Sequence, residues 1–399
     1  MRILHLITRL ILGGAQENTV LTCEDLRSIY GDEVLLVTGP AIGPEGSLID
    51  RVERHGVPLQ VIEALKREIR PLGDWRSYLA IKRVIRDFRP DVVHTHSGKA
   101  GLLGRMAAHA LGVPAIVHTI HGAPFHAYQS RGAQAALRAC ERYAAGRCHA
   151  LVSVADAMTD LAVSAGVAPR EKFITIYSGM EVEPFLRADE HRDATRQRLG
   201  YRKEHVVVGK VARLFHLKGH EFVVRAAQQA MAQQPNLRFL LVGDGILSPQ
   251  IRRQVSEAGL DEYFRFTGLV PPEEIPDMLG AMDIVVHASL REGLARVLPQ
   301  ALIAGKPVVS YDIDGAREVV INGETGFLLP PKSIDEISAS ICRLAADPNM
   351  RARLAQCGRE RFTEQFRHEH MTRQLRSLYE KLLAAHPSRE SRAFTRGST

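Results

Sequence analysis

The stretch His287–Pro331, HASLREGLARVLPQALIAGKPVVSYDIDGAREVVINGETGFLLPP, carries the densest information in this chain of 399 residues. A strand-length apolar run ends at His287, a loop carries Glu292-Gly293, and a helical pattern runs from about Val297 to Ala304. A second apolar run, Pro307–Tyr311, leads into Asp312-Ile313-Asp314-Gly315, and a third spans Gly326–Leu329. Short apolar runs alternating with helical patterns mark a parallel α/β architecture, whose ligand crevice opens at the carboxyl ends of the strands. Glu292 stands in such a loop, where a carboxylate can bind sugar hydroxyls. The free amides that open the next helix can hold phosphate oxygens.

The same alternation continues upstream in two series. Strands are expected at His205–Ala212, Leu237–Val242, Phe264–Thr267 and Asp283–His287 in the second series. In the first they are expected at Arg2–Ile7, Glu33–Thr38, Asp91–Thr95, Pro114–Thr119, Ala150–Val154 and Lys172–Ile176, with helices such as Gln16–Tyr30 and Asp74–Phe88. A polar, charge-rich segment, Ser178–Gly200, separates the series and reads as a linker. The expected organisation is a first domain over 1–185 and a second over 186–364. A C-terminal helix of about 365–385 packs back on the first domain, and a disordered tail covers 387–399. A chain of this length suits two cores of roughly 150–200 residues each.

Composition sets bounds on function. Hydrophobic residues make up 45% and charged residues 24%, as in ordinary globular proteins. The five cysteines are scattered without C-x-x-C spacing, which argues against a disulfide framework or structural zinc and for a reducing, cytoplasmic compartment. The opening MRILHLITRLILGG is interrupted by His5 and Arg9 and reads as a buried strand rather than a targeting segment. No apolar run reaches the roughly 18 residues of a membrane span. The net charge of +7 permits anionic partners. Between Ala64 and Pro90, eight basic residues stand against three acidic ones, with Trp75, Tyr78, Leu79 and Ile81 interleaved. That stretch reads either as a solvated amphipathic helix or as a surface for anionic lipid headgroups on the inner face of a membrane. No nucleic-acid partner is expected.

Other loops after strands point to a diphosphate. Gly13-Gly14 follows the first strand and opens a helix, where glycine lets backbone approach a phosphate. In KVARLFHLKGHEFVVRAA, Arg213 and Lys218 lie five apart between a strand and a helix opened by Gly219. Arginine suits bidentate phosphate contact, and lysine adds a compact charge. Gly243, in the turn after Leu237–Val242, supports the same site. His94, His96, His118, His121 and His126 make the first half rich in histidine, but no Asp, Glu or Cys partner is placed for a metal. Asp312-Ile313-Asp314 reads as a turn rather than a metal-binding D-x-D, because Arg213 and Lys218 already supply positive charge. No metal and no cofactor are expected.

Taken together, Gly13-Gly14, the R-x4-K-G of Arg213 to Gly219, the E-G-L of Glu292 to Leu294, THSGKAGLLGR and HTIHGAPFH resemble the retaining glycosyltransferases of family 4. The resemblance implies the GT-B fold, α/β throughout, with two Rossmann-like domains whose parallel sheets face one another across a cleft. It implies a donor site of Gly13, Gly14, Arg213, Lys218, Gly243, Glu292, Gly293, Leu294, Val297 and Gln300. Glu292 matches the first acid of the family's E-x7-E motif; Gln300 stands where the second acid binds the nucleotide ribose, and an amide can still accept from one hydroxyl. Glu292, Arg213, Lys218 and His121 would carry catalysis, His121 by a hydrogen bond to the donor sugar. His96, Lys99 and His126 would meet the acceptor, a saccharide or a polyprenyl-linked one. The bacterial polysaccharide and lipid-linked saccharide branch is the nearest in flavour, with a UDP-sugar as donor. A UDP-sugar 2-epimerase of the same architecture and a non-catalytic nucleotide-sugar-binding subunit are the alternatives.

Overall fold

The computed structural model describes residues 1–41, 46–126 and 129–386; the expected tail 387–399 lies outside them. The chain forms two units: Met1–Met180 with the segment from Phe366, and Glu181–Gln365.

The first unit is a seven-stranded sheet in the order β3-β2-β1-β4-β5-β6-β7, every pairing parallel. The strands are β1 (Arg2–Ile7), β2 (Glu33–Thr38), β3 (Leu59–Val61), β4 (Val92–His96), β5 (Ala115–Ile120), β6 (Ala150–Ser153) and β7 (Phe173–Thr175). Because side chains alternate along a strand, each feeds two cores. Leu4 and Leu6 of β1 join the core beneath helices Pro71–Phe88 and Gly98–Ala110. Ile3 and Ile7 join the opposite core, covered by helices Gly14–Ser28 and His368–Ala385.

The last helix does return to the first unit, and it is anchored by polar contacts as well as by Met371, Leu375 and Leu378. Tyr379 Oη lies 2.5 Å from His94 Nδ1, and Arg376 Nε donates to Asp32 at 2.9 Å. His368 Nδ1 and Thr372 Oγ1 meet the same Asp25 carboxylate at 2.8 and 2.7 Å.

The second unit is a six-stranded parallel sheet in the order β10-β9-β8-β11-β12-β13. Its strands are β8 (Val206–Val211), β9 (Leu237–Val242), β10 (Phe264–Gly268), β11 (Ile284–His287), β12 (Val308–Tyr311) and β13 (Gly326–Leu329). Two readings from sequence need correction. The division falls after Met180, five residues before the expected end at 185. Ser178–Gly200 is not a free linker, because it holds helices Glu183–Leu186 and Arg192–Arg198. Arg192 and Arg196 both reach Asp283, at 2.5 and 3.4 Å, and Asp189 pairs with Lys306 at 2.6 Å.

Helix Pro71–Phe88 is amphipathic. It turns Ile81, Val84 and Ile85 inward and leaves Leu72, Trp75 and Leu79 exposed, with Ile69 just ahead of it. Arg76, Arg83 and Arg86 are exposed at helical spacing along the same face. Among the described residues no helix is long and apolar enough to cross a membrane.

Candidate active site

In each sheet the strand order reverses at one place, and loops leaving neighbouring strands there open a crevice at their carboxyl ends. In the second unit the reversal lies between β8 and β11. The β8 loop, Ala212–Gly219, is pinned on both sides. Leu214 N donates to Asp244 O in the loop after β9 (2.9 Å), and Leu290 N, after β11, donates to Leu217 O (2.8 Å). A Cβ on Gly219 would lie 1.9 Å from Ala288 O, and its φ is +69°, so glycine is needed twice over. Gly243 (φ +127°) likewise packs on Ala212 O, which would lie 2.3 Å from an added Cβ.

This interlock brings Lys218 and Glu292 together. Lys218 Nζ lies 2.5 Å from Glu292 Oε1, and His287 Nε2 is 3.5 Å from the same oxygen. Burial disfavours the Glu292 charge, but His287 and Lys218 overcome that and hold its carboxyl well below the usual carboxylate range. Glu292 is an anion at neutral pH. The loop after β12 fixes the glutamate's backbone: Glu292 N donates to Asp314 Oδ2 (2.6 Å), and Gly315 N to Gly293 O (3.0 Å). Asp312 is held by the Arg317 guanidinium at 2.9 and 2.7 Å. The two aspartates thus build a turn, as expected, and do not converge.

Arg213 is exposed, its guanidinium 5.7 Å from the Phe215 ring. Gly293, Leu294, Val297 and Gln300 are half-buried, Val297 and Gln300 on helix Val297–Ile303 directly after the Glu292 loop. Beneath the pair lies a residue that sequence reasoning missed. Lys210, on β8, is fully buried with no hydrogen-bond partner for Nζ among the described residues. Burial, reinforced by Lys218, lowers its ammonium to about 7. A lysine inside the apolar VVVGKVA run was the available signal.

In the first unit the reversal lies between β1 and β4. Gly13, extended, precedes helix Gly14–Ser28, and Glu17 N donates to Gly13 O at 2.9 Å. Ser97, after β4, has φ +61°; its Oγ lies 2.7 Å from Thr8 Oγ1, which ties this loop to the end of β1. Lys99, expected at the acceptor, pairs with Asp74 at 2.5 Å and with Glu68 O. It clamps the start of the basic helix instead of standing open. His126 is half-buried, its backbone N–H donating to Gln129 Oε1 at 3.0 Å; Ala127 and Tyr128 lie outside the described residues.

His5, His94 and His96 share one sheet face, since β1 sets His5 beside His94, whereas His118, in register with Thr95 and 2.9 Å from its Oγ1, turns to the other. His96 is completely buried and therefore cannot meet an acceptor directly. It lies between His5 Nδ1 (3.0 Å, to its Nε2) and His121 Nε2 (3.1 Å, to its Nδ1). His94 is satisfied separately, by Tyr379 and by Thr119 Oγ1 at 2.7 Å. Burial holds His94 and His96 well below the ordinary imidazole value and His5 at about 3, so all three are neutral. His5, His94 and His96 are close enough to share an ion, which supplies the third ligand that the sequence did not reveal. Five of their six ring nitrogens are already engaged in hydrogen bonds, His5 Nε2 being the exception.

Comparison with known proteins gives matches in both units. Residues 13–179 match the model of a glycosyl transferase 4-like domain, and residues 191–361 that of glycosyl transferases group 1. A UDP-Gal:alpha-D-GlcNAc-diphosphoundecaprenol alpha-1,3-galactosyltransferase of Escherichia coli is 28% identical over 72% of this chain and 74% of its own length. The 2-deoxystreptamine glucosyltransferase of Streptomyces kanamyceticus is 29% identical over 71% and 74%. Among solved structures, Anabaena HepE in complex with UDP superposes with a TM-score of 0.81 at 22% identity, over 96% of this chain and all of that one. With one model matched in each parallel-sheet unit and named transferases as relatives, the chain belongs to the GT-B glycosyltransferases of the family 4 type.

Proposed function

We propose that the protein is a retaining hexosyl- or N-acetylhexosaminyl-transferase that takes its sugar from a UDP-sugar. The observation that carries this reading is the Lys218–Glu292 pair, seated where loops after β8, β11 and β12 interlock. Lys218 and Arg213 neutralise the diphosphate, so the charge that develops as the nucleotide departs meets preorganised cations. Glu292, ionised and fixed through its own backbone, holds sugar hydroxyls and favours an oxocarbenium-like state. His121 keeps the role given by the resemblance, a hydrogen bond to a sugar hydroxyl. The leaving phosphate oxygen takes the proton of the acceptor hydroxyl, so transfer proceeds on one face with retention. Gln300 accepts from a ribose hydroxyl in place of a carboxylate. Two cations at the diphosphate make a metal unnecessary, so chelators should leave the rate unchanged.

The UDP base is supported by the E. coli relative, which uses UDP-Gal and a diphosphoundecaprenol-linked acceptor. The same relative supports a saccharide or lipid-linked acceptor, which would place the reaction in polysaccharide or glycoconjugate synthesis. The exposed Ile69, Leu72, Trp75 and Leu79 beside Arg76, Arg83 and Arg86 suit an anionic membrane surface, where such an acceptor resides. Incubation with UDP-, GDP- and ADP-sugars, with and without lipid-linked acceptors, tests the reading. Nucleotide release with UDP-sugars that vanishes in Glu292→Ala supports it. Epimerised donor without acceptor, or donor binding without turnover, refutes it.

A further inference from the structure

We propose that Lys210 is a latent cation of the diphosphate site: its buried amine takes a proton from solvent as a nucleoside diphosphate binds and returns it as the nucleotide leaves. The donor-site lysine above it is already neutralised. Lys218 Nζ lies 2.5 Å from Glu292 Oε1, and both side chains are partly open to solvent. A diphosphate that pairs with Lys218 must share it with Glu292, so the loops after β8 and β11 gain a surplus of negative charge. Lys210 stands behind them, at the end of the strand that runs into the Arg213–Lys218 loop and in register with Leu241 of β9. Val206 and Val208, at alternate positions of β8, place its side chain on the face covered by helix His220–Met231. Nζ is buried there with no hydrogen-bond partner among the described residues. A lysine amine in such a place is cheapest when neutral, and a nearby anion recharges it.

The groups around it leave that role to Lys210. Helix His220–Met231 brings His220 and Glu221, β11 brings His287, and β12 brings Tyr311 on the same face; the loops bring Arg213, Lys218, Glu292 and Asp314, the last engaged by the Glu292 amide. Burial lowers both imidazoles, which are neutral above pH 7, and raises the Tyr311 hydroxyl. Glu292 is already ionised. For Lys210, burial is the largest effect; Lys218 adds to it, Glu292 and Glu221 oppose it, and the ammonium comes to about 7. At pH 8 the amine is therefore neutral, and arriving phosphate oxygens raise it. An amine raised in the complex binds its proton together with the ligand, so affinity falls as pH rises between the free and the bound value. The nucleotide adds no proton of its own, since its last phosphate ionisation lies at about 6. For a rise of about one to two pH units, linkage gives about 0.4–0.8 proton taken up per nucleotide at pH 8. It also makes binding about 3–20-fold weaker at pH 9.5 than at pH 7.5. This inference rests on the proposed function for the identity of the anion, whereas the buried amine is a property of the protein alone.

The test is isothermal titration calorimetry of the full-length protein with UDP, GDP and ADP at pH 8, in two buffers of different ionisation enthalpy, which counts the protons bound with the nucleotide. Kd measured from pH 7.5 to 9.5 gives a second reading that needs no variant. Lys210→Met should bind the same nucleotide with no uptake of this proton and with Kd changing less than about twofold over that range. At pH 7.5 it should bind about 3–25-fold more weakly than wild type, and at pH 9.5 about equally, a convergence that a merely structural role would not produce. Nucleotide binding without proton uptake by the wild type, or uptake unchanged in Lys210→Met, overturns the proposal and leaves the transferase reading standing. Uptake that depends on Lys210, with no sugar transferred from any nucleotide-sugar, would sink the transferase reading and leave the latent cation. If none of the three nucleotides binds, both fall.

Discussion

Replacing Lys210 by methionine should stabilise the second unit at neutral pH and remove part of its pH dependence. Lys210 is fully buried on β8, with no hydrogen-bond partner among the described residues, and burial brings its ammonium from 10.5 to about 7. At about 1.4 kcal/mol per pH unit, that gap corresponds to about 5 kcal/mol disfavouring the charged form in the fold. In the unfolded chain the amine stays protonated up to about 10.5, whereas in the folded chain it sheds its proton near 7. Between those values the unfolded state binds more protons, so stability rises with pH; below 7 the full cost of burial is present. Methionine carries no such cost and fills similar volume. Scanning calorimetry of both proteins between pH 7.5 and 9.5, with the second unit's transition identified by its shift on adding UDP, isolates this residue. Over those two pH units the advantage of Lys210→Met should shrink by about 2.7 kcal/mol, or roughly 5–11 °C in Tm for a domain of this size. Parallel Tm curves, or a variant less stable than wild type throughout, would refute the reasoning. Either would mean that Lys210 keeps its charge in the fold.

Three further outcomes follow from the same geometry. Glu292→Gln should lower kcat/KM by about 100-fold or more, on the scale of removing one preorganised electrostatic group, as measured with saturating acceptor and varied donor. Gly219→Ala should cost roughly 2–4 kcal/mol in a denaturation experiment, because the added Cβ meets Ala288 O at 1.9 Å at a φ of +69°. It should also weaken UDP binding, since it displaces the neighbouring Lys218. Arg76→Glu with Arg83→Glu should abolish sedimentation with anionic vesicles while leaving transfer to a soluble acceptor within about twofold; vesicle binding equal to wild type would assign the exposed face to solvent.

Much of the fold was legible because parallel strands buried on both faces are continuous apolar runs. β1, β2, β9 and β13 begin and end at the residues expected, and the other expected strands differ by one residue at one end or both. β3 escaped notice since three residues, Leu59–Val61, make no periodic pattern. Ser178–Gly200 was misread for a physical reason. The charges of Arg192 and Arg196 look solvated in sequence, yet they fold onto Asp283, about 90 residues away, and nothing local announces that partner. The candidate site divides likewise. Glu292, Lys218 and Gly219 are visible as residue types in loops after strands. Asp314 as the partner of the Glu292 amide, Asp74 as the partner of Lys99 and His5 beneath His96 depend on which strands lie side by side, and sheet order is not written in any one segment.

The return of helix His368–Ala385 to the first unit has a consequence for biogenesis. The ribosome delivers Met1–Met180 first, but the core face of β1, β4 and β5 that receives Met371, Leu375 and Tyr379 stays uncovered until the last helix emerges. The uninterrupted Glu181–Gln365 can complete its own core while the first unit still waits. Synthesis therefore runs from the N-terminus while folding finishes there last. In that interval the first unit lacks the helix that covers this apolar face and gives buried His94 its tyrosine.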